Sequence, residues 1–195
     1  MRKIFLPSLI SALVVFIWMF VSWAFLPWHS NLFKNIPNGD SLTAQMKASI
    51  KEPGIYRYPG LPEQSSAEAL NKIAGRYAAG PVITFMVYNP SGIDMVNPME
   101  FVWGFLIDLL NAIIAAFLLY NSTLKQKGFF VRLFFVILIA AFAALIGPII
   151  EWNWLLFPAG YAFSVALDYL LTWLLGGAVL ALMIKGEAVK KTISV

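Results

Sequence analysis

The sequence contains no cysteine and a single histidine, His29. Disulfide bonds and thiolate metal sites are therefore excluded, and so is a metal site built from several histidines of one chain. Charged residues are also scarce, at 12% against 60% hydrophobic residues, and the mean hydropathy is +0.76. Since a soluble domain carries about twice that share of charge, the composition predicts an integral membrane protein whose first partner is the lipid bilayer.

Sequence motifs typical of catalytic or ligand-binding sites are missing as well. No glycine-rich phosphate loop or metal-ligand spacing occurs, so the sequence points to no catalytic, cofactor-binding or metal-binding residue. Ser8, Ser11 and Ser22 have no histidine or lysine nearby in the sequence that would activate them as nucleophiles. The net charge of +4 does not indicate nucleic acid, because the basic residues concentrate beside apolar runs, where they set membrane topology. We expect no cofactor and no nucleic-acid partner.

Four apolar runs are long enough to cross the ~30 Å hydrocarbon core of a bilayer as helices. The first lies within residues 1–27, and the others lie at about 99–120, 132–150 and 159–184. The first run could be a signal peptide or an uncleaved anchor. It is about twice as long as the apolar region of a signal peptide, which favours the anchor.

Residues 28–98 have the composition of a small polar domain in which basic and acidic residues nearly cancel. Turn residues separate two segments with helical spacing from two segments with strand composition, at 55–58 and 82–88. The predicted fold class is therefore a mainly α membrane protein. It consists of a four-transmembrane-helix bundle with a small α+β extramembrane domain between helices 1 and 2, followed by helices 2–4 and a tail in residues 99–195.

Positively charged residues flank the four predicted spans on one side. They are Arg2, Lys3, Lys125, Lys127, Arg132, Lys185, Lys190 and Lys191. Since basic loops stay in the cytoplasm, both termini are expected to be cytoplasmic and residues 28–98 to lie on the opposite side.

Three short blocks carry a resemblance. They are Leu26-Pro27-Trp28-His29, Pro53-Gly54-Ile55-Tyr56, and Trp152-Asn153-Trp154 followed by Phe157-Pro158-Ala159 and a helix with Asp168 and Gly177. In these blocks the chain resembles a group of small uncharacterised bacterial inner-membrane proteins that have four transmembrane helices and a periplasmic domain after the first. The resemblance implies a bacterial inner membrane and a periplasmic location for residues 28–98, and it implies no activity.

Two acidic residues lie inside predicted spans, Asp108 and Asp168, each about nine residues from the outer end of its helix. At ~1.5 Å per residue both lie at a similar depth and could meet. Together with Asn111 and Thr172 they form a candidate intramembrane polar site. Three interpretations stay open: hydrogen bonds that lock helix packing, a path for protons or cations, or contact with a base from a partner chain.

Two further groups of residues are candidates for structural contacts. His29 and Glu151 are both placed at the outer interface and could pair across the ends of the first and third helices, or could simply be solvated there. In the fourth helix Gly160, Ser164 and Gly176 belong to a row of small or polar residues with four-residue spacing. That row predicts a seam where another helix packs closely.

Three function classes remain compatible with these residues. The first is a non-catalytic accessory or assembly subunit of a larger membrane complex, with other membrane-protein subunits or further copies of itself as partners. The second is a small proton- or cation-coupled transporter that uses Asp108 and Asp168. The third is a membrane-embedded enzyme of unknown chemistry, which no residue pattern supports specifically; we rank the three in this order.

Overall fold

The computed structural model describes residues 2–63 and 66–186. Lys190 and Lys191, which contribute to the topology prediction, lie outside the described residues. The chain divides into two compact units, Met1–Phe33 with Asn97–Val195, and Lys34–Val96.

The secondary structure is mainly helical. In chain order the elements are α1 (Arg2–Phe25), α2 (Pro27–Ser30), α3 (Gly39–Ser49), β1 (Gly54–Tyr58), α4 (Ala67–Ala79), β2 (Ile83–Tyr88), α5 (Pro98–Asn121), α6 (Phe129–Ala144), α7 (Ile150–Trp154) and α8 (Ala159–Met183). Within the described residues four helical segments are long and apolar enough to cross a membrane: α1, α5, α8 and the continuous stretch Phe129–Trp154. The prediction of a mainly α, multi-pass membrane protein is confirmed.

The third membrane-spanning segment is not a straight helix. A π-helical stretch, Leu145–Ile149, joins α6 to α7, and Gly147 within it has φ −99° and ψ −107°, outside the helical region. The following residue, Pro148, has no N–H to donate and so interrupts the helical hydrogen bonding. The sequence predicted a helix at about 132–150, whereas the helical path begins at Phe129 and continues through this kink to Trp154.

Helix packing in the first unit depends on small side chains. Helix α8 packs against α1 and α6, and α1 packs against α5. A Cβ added to Gly176 would lie 2.6 Å from Val15 Cγ2, and one added to Gly177 would lie 2.9 Å from Val136 Cγ1. These two glycines therefore allow α1 and α6 to approach α8 more closely than an alanine would.

The three residues of the predicted seam on α8 lie in different surroundings. Gly176 is buried, and its carbonyl oxygen accepts a hydrogen bond of 2.9 Å from Ser11 Oγ. Ser164 is half-buried, but Gly160 is exposed and a Cβ added there would have no neighbour within 4 Å. Asp168, Thr172 and Gly176 are therefore buried on the packed face of α8, whereas Gly160 is not.

Arg132 is buried in the first turn of α6. Its Nε donates a 2.9 Å hydrogen bond to the carbonyl oxygen of Ala181 in the last turns of α8, and Nη1 donates to the carbonyl oxygen of Lys127. Carbonyl groups at a helix C-terminus have no partner within the helix and carry partial negative charge. The guanidinium therefore ties α6, the preceding loop and the end of α8 together.

The second unit, Lys34–Val96, contains α3, α4 and a two-stranded antiparallel sheet in which Ile55 pairs with Val87 and Tyr56 with Met86. The prediction of two paired strands is confirmed. Residues of β2 alternate strictly between exposed and half-buried. On the exposed face Ile55 and Val87, which are cross-strand partners, are 67% and 72% exposed, and Phe85 and Ile83 are exposed further along the same face.

Candidate functional site

The end of α1 and the middle of α8 meet in a buried polar cluster of three side chains, Ser22, His29 and Asp168. Ser22 lies in the last turn of α1, and Asp168 lies on the packed face of α8. The chain leaves α1 at Phe25, turns at Leu26, whose ψ is 136°, and enters the short helix α2 with Pro27 in its first turn. This turn folds His29 back toward Ser22.

The three side chains are within hydrogen-bonding reach of one another. Ser22 Oγ lies 2.8 Å from Asp168 Oδ1 and 3.0 Å from His29 Nε2, and His29 Nε2 lies 3.6 Å from Asp168 Oδ2. Exposed fractions of Ser22, Asp168 and His29 are 0%, 2% and 4%. The hydroxyl has one proton, so when it donates to Asp168 it can only accept from His29, which then carries its proton on Nε2.

Two tryptophans hold the imidazole in place. The Trp23 ring stacks on His29 with a centroid distance of 4.1 Å and an interplanar angle of 12°, and the Trp28 ring approaches His29 edge-on at 6.0 Å. His29 Nδ1 is buried and has no hydrogen-bond partner among the described residues.

The cluster contains the residue types of a serine hydrolase but not the arrangement of one. In a catalytic triad the serine contacts one imidazole nitrogen and the acid orients the other. Here Ser22 and Asp168 both approach Nε2, and Ser22 Oγ is fully buried. Since the hydroxyl is already committed to the carboxylate, the arrangement suits locking of α1 to α8 better than nucleophilic attack.

A second polar site surrounds Asp108. A cavity of about 310 Å³ is bordered by α1, α5, α6 and α8, and its polar lining consists of Asp108, Asn111, Tyr169 and Thr172 together with the indole of Trp173. Thr172 Oγ1 donates to Met19 Sδ at 3.4 Å. Asp108 also borders a neighbouring cavity of about 280 Å³ beside Phe16 and Gly104.

The predicted site residues are therefore divided between two places. Asp108, Asn111 and Thr172 line the cavity, whereas the Asp168 carboxylate points to Ser22 and His29. Within residues 2–63 and 66–186 no hydrogen bond joins the carboxyl groups of Asp108 and Asp168. His29 pairs with Asp168 and not with Glu151, which lies in α7 and whose carbonyl oxygen accepts the backbone N–H of Leu155.

Sequence reasoning missed the role of Ser22. No base adjoins Ser22 in the sequence, and His29 is seven residues away. Residues seven apart lie on the same face of a helix but about 10 Å apart along it, so only the break at Leu26 brings the two side chains together. The signal in the sequence was the seven-residue spacing of Ser22 and His29 together with Pro27 between them, which indicates a break in the helix.

Among the described residues no group of three histidine, aspartate or glutamate side chains is placed to hold a metal ion. The two polar sites both lie in the first unit. Comparison of the chain with protein-family models, curated proteins and solved structures gave no match.

Proposed function

We propose that the protein is a non-catalytic accessory or assembly subunit of a larger complex in a bacterial inner membrane. In this proposal the four helices form a bundle with both termini in the cytoplasm, and the unit Lys34–Val96 lies in the periplasm. The distribution of basic residues and the resemblance of three sequence blocks support this placement.

The observation that carries the proposal is the exposed apolar face of the two-stranded sheet. Ile55 and Val87 lie side by side on it, more than half of each is accessible, and Ile83 extends the patch. A two-stranded sheet is marginal by itself, and a contiguous apolar patch on it is typical of a protein interface. Within the described part of α3 and α4 no side chain is fully buried, so this unit has little core of its own.

Purification in mild detergent, followed by identification of every co-migrating chain, tests the proposal. The double variant Ile55→Thr/Val87→Thr removes the apolar face but keeps two residues with high strand propensity. We expect it to lose the partners that the parent protein retains. Leu61→Thr, at an exposed loop position of the same unit, is the matched control and should retain them.

Two results would contradict a subunit function. One is a parent protein that migrates as a single, monodisperse copy of the chain. The other is a double variant that retains every partner. A complex containing further copies of this chain alone would identify the partner as the protein itself.

A second candidate function is coupling of proton or cation movement through Asp108, and the cavity at this residue favours it. An acidic side chain in a membrane span is costly and is retained chiefly where it serves a path or a ligand. The sequence suggests a path through Asp108 and Asp168 together. Because Asp168 is enclosed with Ser22 and Asp108 borders the cavity, Asp108 is the acid that a mobile ion can reach. Proteoliposomes containing the parent protein should move protons or cations, and Asp108→Asn should abolish that movement.

A further inference from the structure

The cavity at Asp108 has the size and lining of a small-molecule binding site. Its volume of about 310 Å³ is at the lower end of the range of roughly 300–1,000 Å³ for ligand pockets, which are mostly apolar with a few convergent polar groups. Here the apolar walls include Ile107, Ile139 and Ala143.

Apart from Thr172, which donates to Met19, the polar side chains of the cavity form no hydrogen bond within the described part of the chain. Asp108, Asn111 and the Tyr169 hydroxyl have no hydrogen-bond partner among the described residues. No lysine, arginine or histidine belongs to the described lining, so the carboxylate has no counter-ion there. A carboxylate, an amide oxygen and a phenol oxygen are together a set of acceptors, and this set is complementary to an N–H donor that carries positive charge.

Aromatic rings form part of the same lining. Trp173 and Tyr169 border the cavity beside Asp108, and the faces of such rings attract organic cations. The ligand implied by this combination is small, has an apolar body and ends in an ammonium group.

The cavity opens sideways from the helices. Ile107, Asn111 and Ile114 on its rim are exposed, and all three belong to the outward side of α5. Asp108 is about ten residues into this helix, ~15 Å from its first residue. The headgroup of a lipid remains at the bilayer surface, whereas a mobile amphipathic amine can reach this depth from within the bilayer.

We propose that the Asp108 cavity binds a small amphipathic primary ammonium ion, which enters from the bilayer and is held by the Asp108 carboxylate against Tyr169 and Trp173. The inference rests on the second candidate function, because it gives the chemical class of the cation that Asp108 would handle. It is independent of the subunit function of the sheet face.

Equilibrium binding to the full-length chain in phosphatidylglycerol nanodiscs tests the site. The probes are 2-phenylethylammonium and its neutral analogue 2-phenylethanol, which has a similar shape but no charge. We expect the ammonium probe to bind at least about tenfold more tightly than the alcohol, the ratio associated with one charge-assisted hydrogen bond.

Asp108→Asn should reduce binding of the ammonium probe by about tenfold or more and leave binding of the alcohol unchanged. Because the substitution is nearly isosteric, unchanged alcohol binding also shows that the cavity has kept its shape. Glu100→Gln, which removes an acid from the first turn of the same helix, is the matched control and should bind both probes like the parent. Equal binding of the two probes, or full retention of ammonium binding in Asp108→Asn, would overturn the proposal.

Two further measurements distinguish a free amine from a lipid headgroup as the ligand, and binding from transport. Adding phosphatidylethanolamine to the nanodiscs supplies an ammonium headgroup; we expect it not to displace the probe, and displacement would overturn the proposal that the ligand comes from within the bilayer. In proteoliposomes, ammonium binding without any ion movement would leave the binding site intact and remove the transport function.

Discussion

Ser22 Oγ lies 2.8 Å from Asp168 Oδ1 and thereby joins the end of α1 to the middle of α8 across 146 residues of sequence. This bond supplies a donor to a carboxylate that is almost completely buried. Its loss would leave the acid with the more distant imidazole at 3.6 Å.

Ser22→Ala is expected to lower the free energy of unfolding by about 1–2 kcal/mol. Hydrogen bonds within membrane proteins contribute ~0.6 kcal/mol on average, and a buried acceptor left without a donor adds to the loss. Unfolding in mixed micelles, followed by circular dichroism, measures the change. Ser164→Ala, on α8 and without a hydrogen bond among the described residues, should change stability little; equal losses in both variants would show that the bond to Asp168 is unimportant.

Gly176→Leu should be much more disruptive than Gly160→Leu. The Cβ alone would lie 2.6 Å from Val15 at the first position, while the second position is open. Overpacking typically costs about 1–3 kcal/mol. We therefore expect Gly176→Leu to lower the free energy of unfolding by about that much or more, and Gly160→Leu to lower it by only a few tenths of a kcal/mol. Comparison of the two unfolding midpoints in one detergent checks this, and a reversed order would contradict the described packing of α1 on α8.

Arg132→Met should destabilise the protein although methionine can occupy much of the same space. The substitution removes the donors to the carbonyl oxygens of Ala181 and Lys127, and we expect a loss of about 1–3 kcal/mol. Lys185→Met, at a basic residue with no hydrogen bond from its side chain among the described residues, provides the comparison. If both variants unfold at the same denaturant concentration, the buried guanidinium contributes no stability.

Membrane topology can be tested directly. A reporter fused at Val195 should report cytoplasm and one inserted at Ser65 should report periplasm, because the basic residues that directly flank the four spans fall on one side of them. A cytoplasmic signal from the Ser65 fusion would contradict the proposed orientation and place the apolar sheet face in a different compartment.

Hydropathy and strand composition were sufficient to predict the four spans and the two paired strands, because both depend on properties of contiguous residues. The partners of the acidic residues were not predictable in the same way. Sequence position gives the depth of Asp108 and Asp168, but the rotation of each helix is determined by the residues it packs against. Because Gly176 packs against Val15, the face of α8 that carries Asp168 is turned toward α1. The side chain of Asp108 on α5 borders the cavity instead.

Other differences come from local breaks in regular structure. The π-helical stretch at Gly147 and Pro148 extends the third span to Trp154, and a periodic pattern gives no information about such an inserted turn. In the same way, the fold-back of His29 depends on a single non-helical residue, Leu26.

The hydrogen bond between Arg132 and Ala181 has a consequence for biosynthesis. The two residues are 49 positions apart, so when the third span leaves the ribosome its arginine has no acceptor from the fourth. Until α8 has been synthesised and inserted, the Nε–H of Arg132 lacks its acceptor at Ala181, and we expect it to be hydrated at the membrane surface. The hydrogen bonding of Arg132 in the third span is therefore complete only after α8 has been inserted. A chain truncated before α8 should leave Arg132 accessible to water.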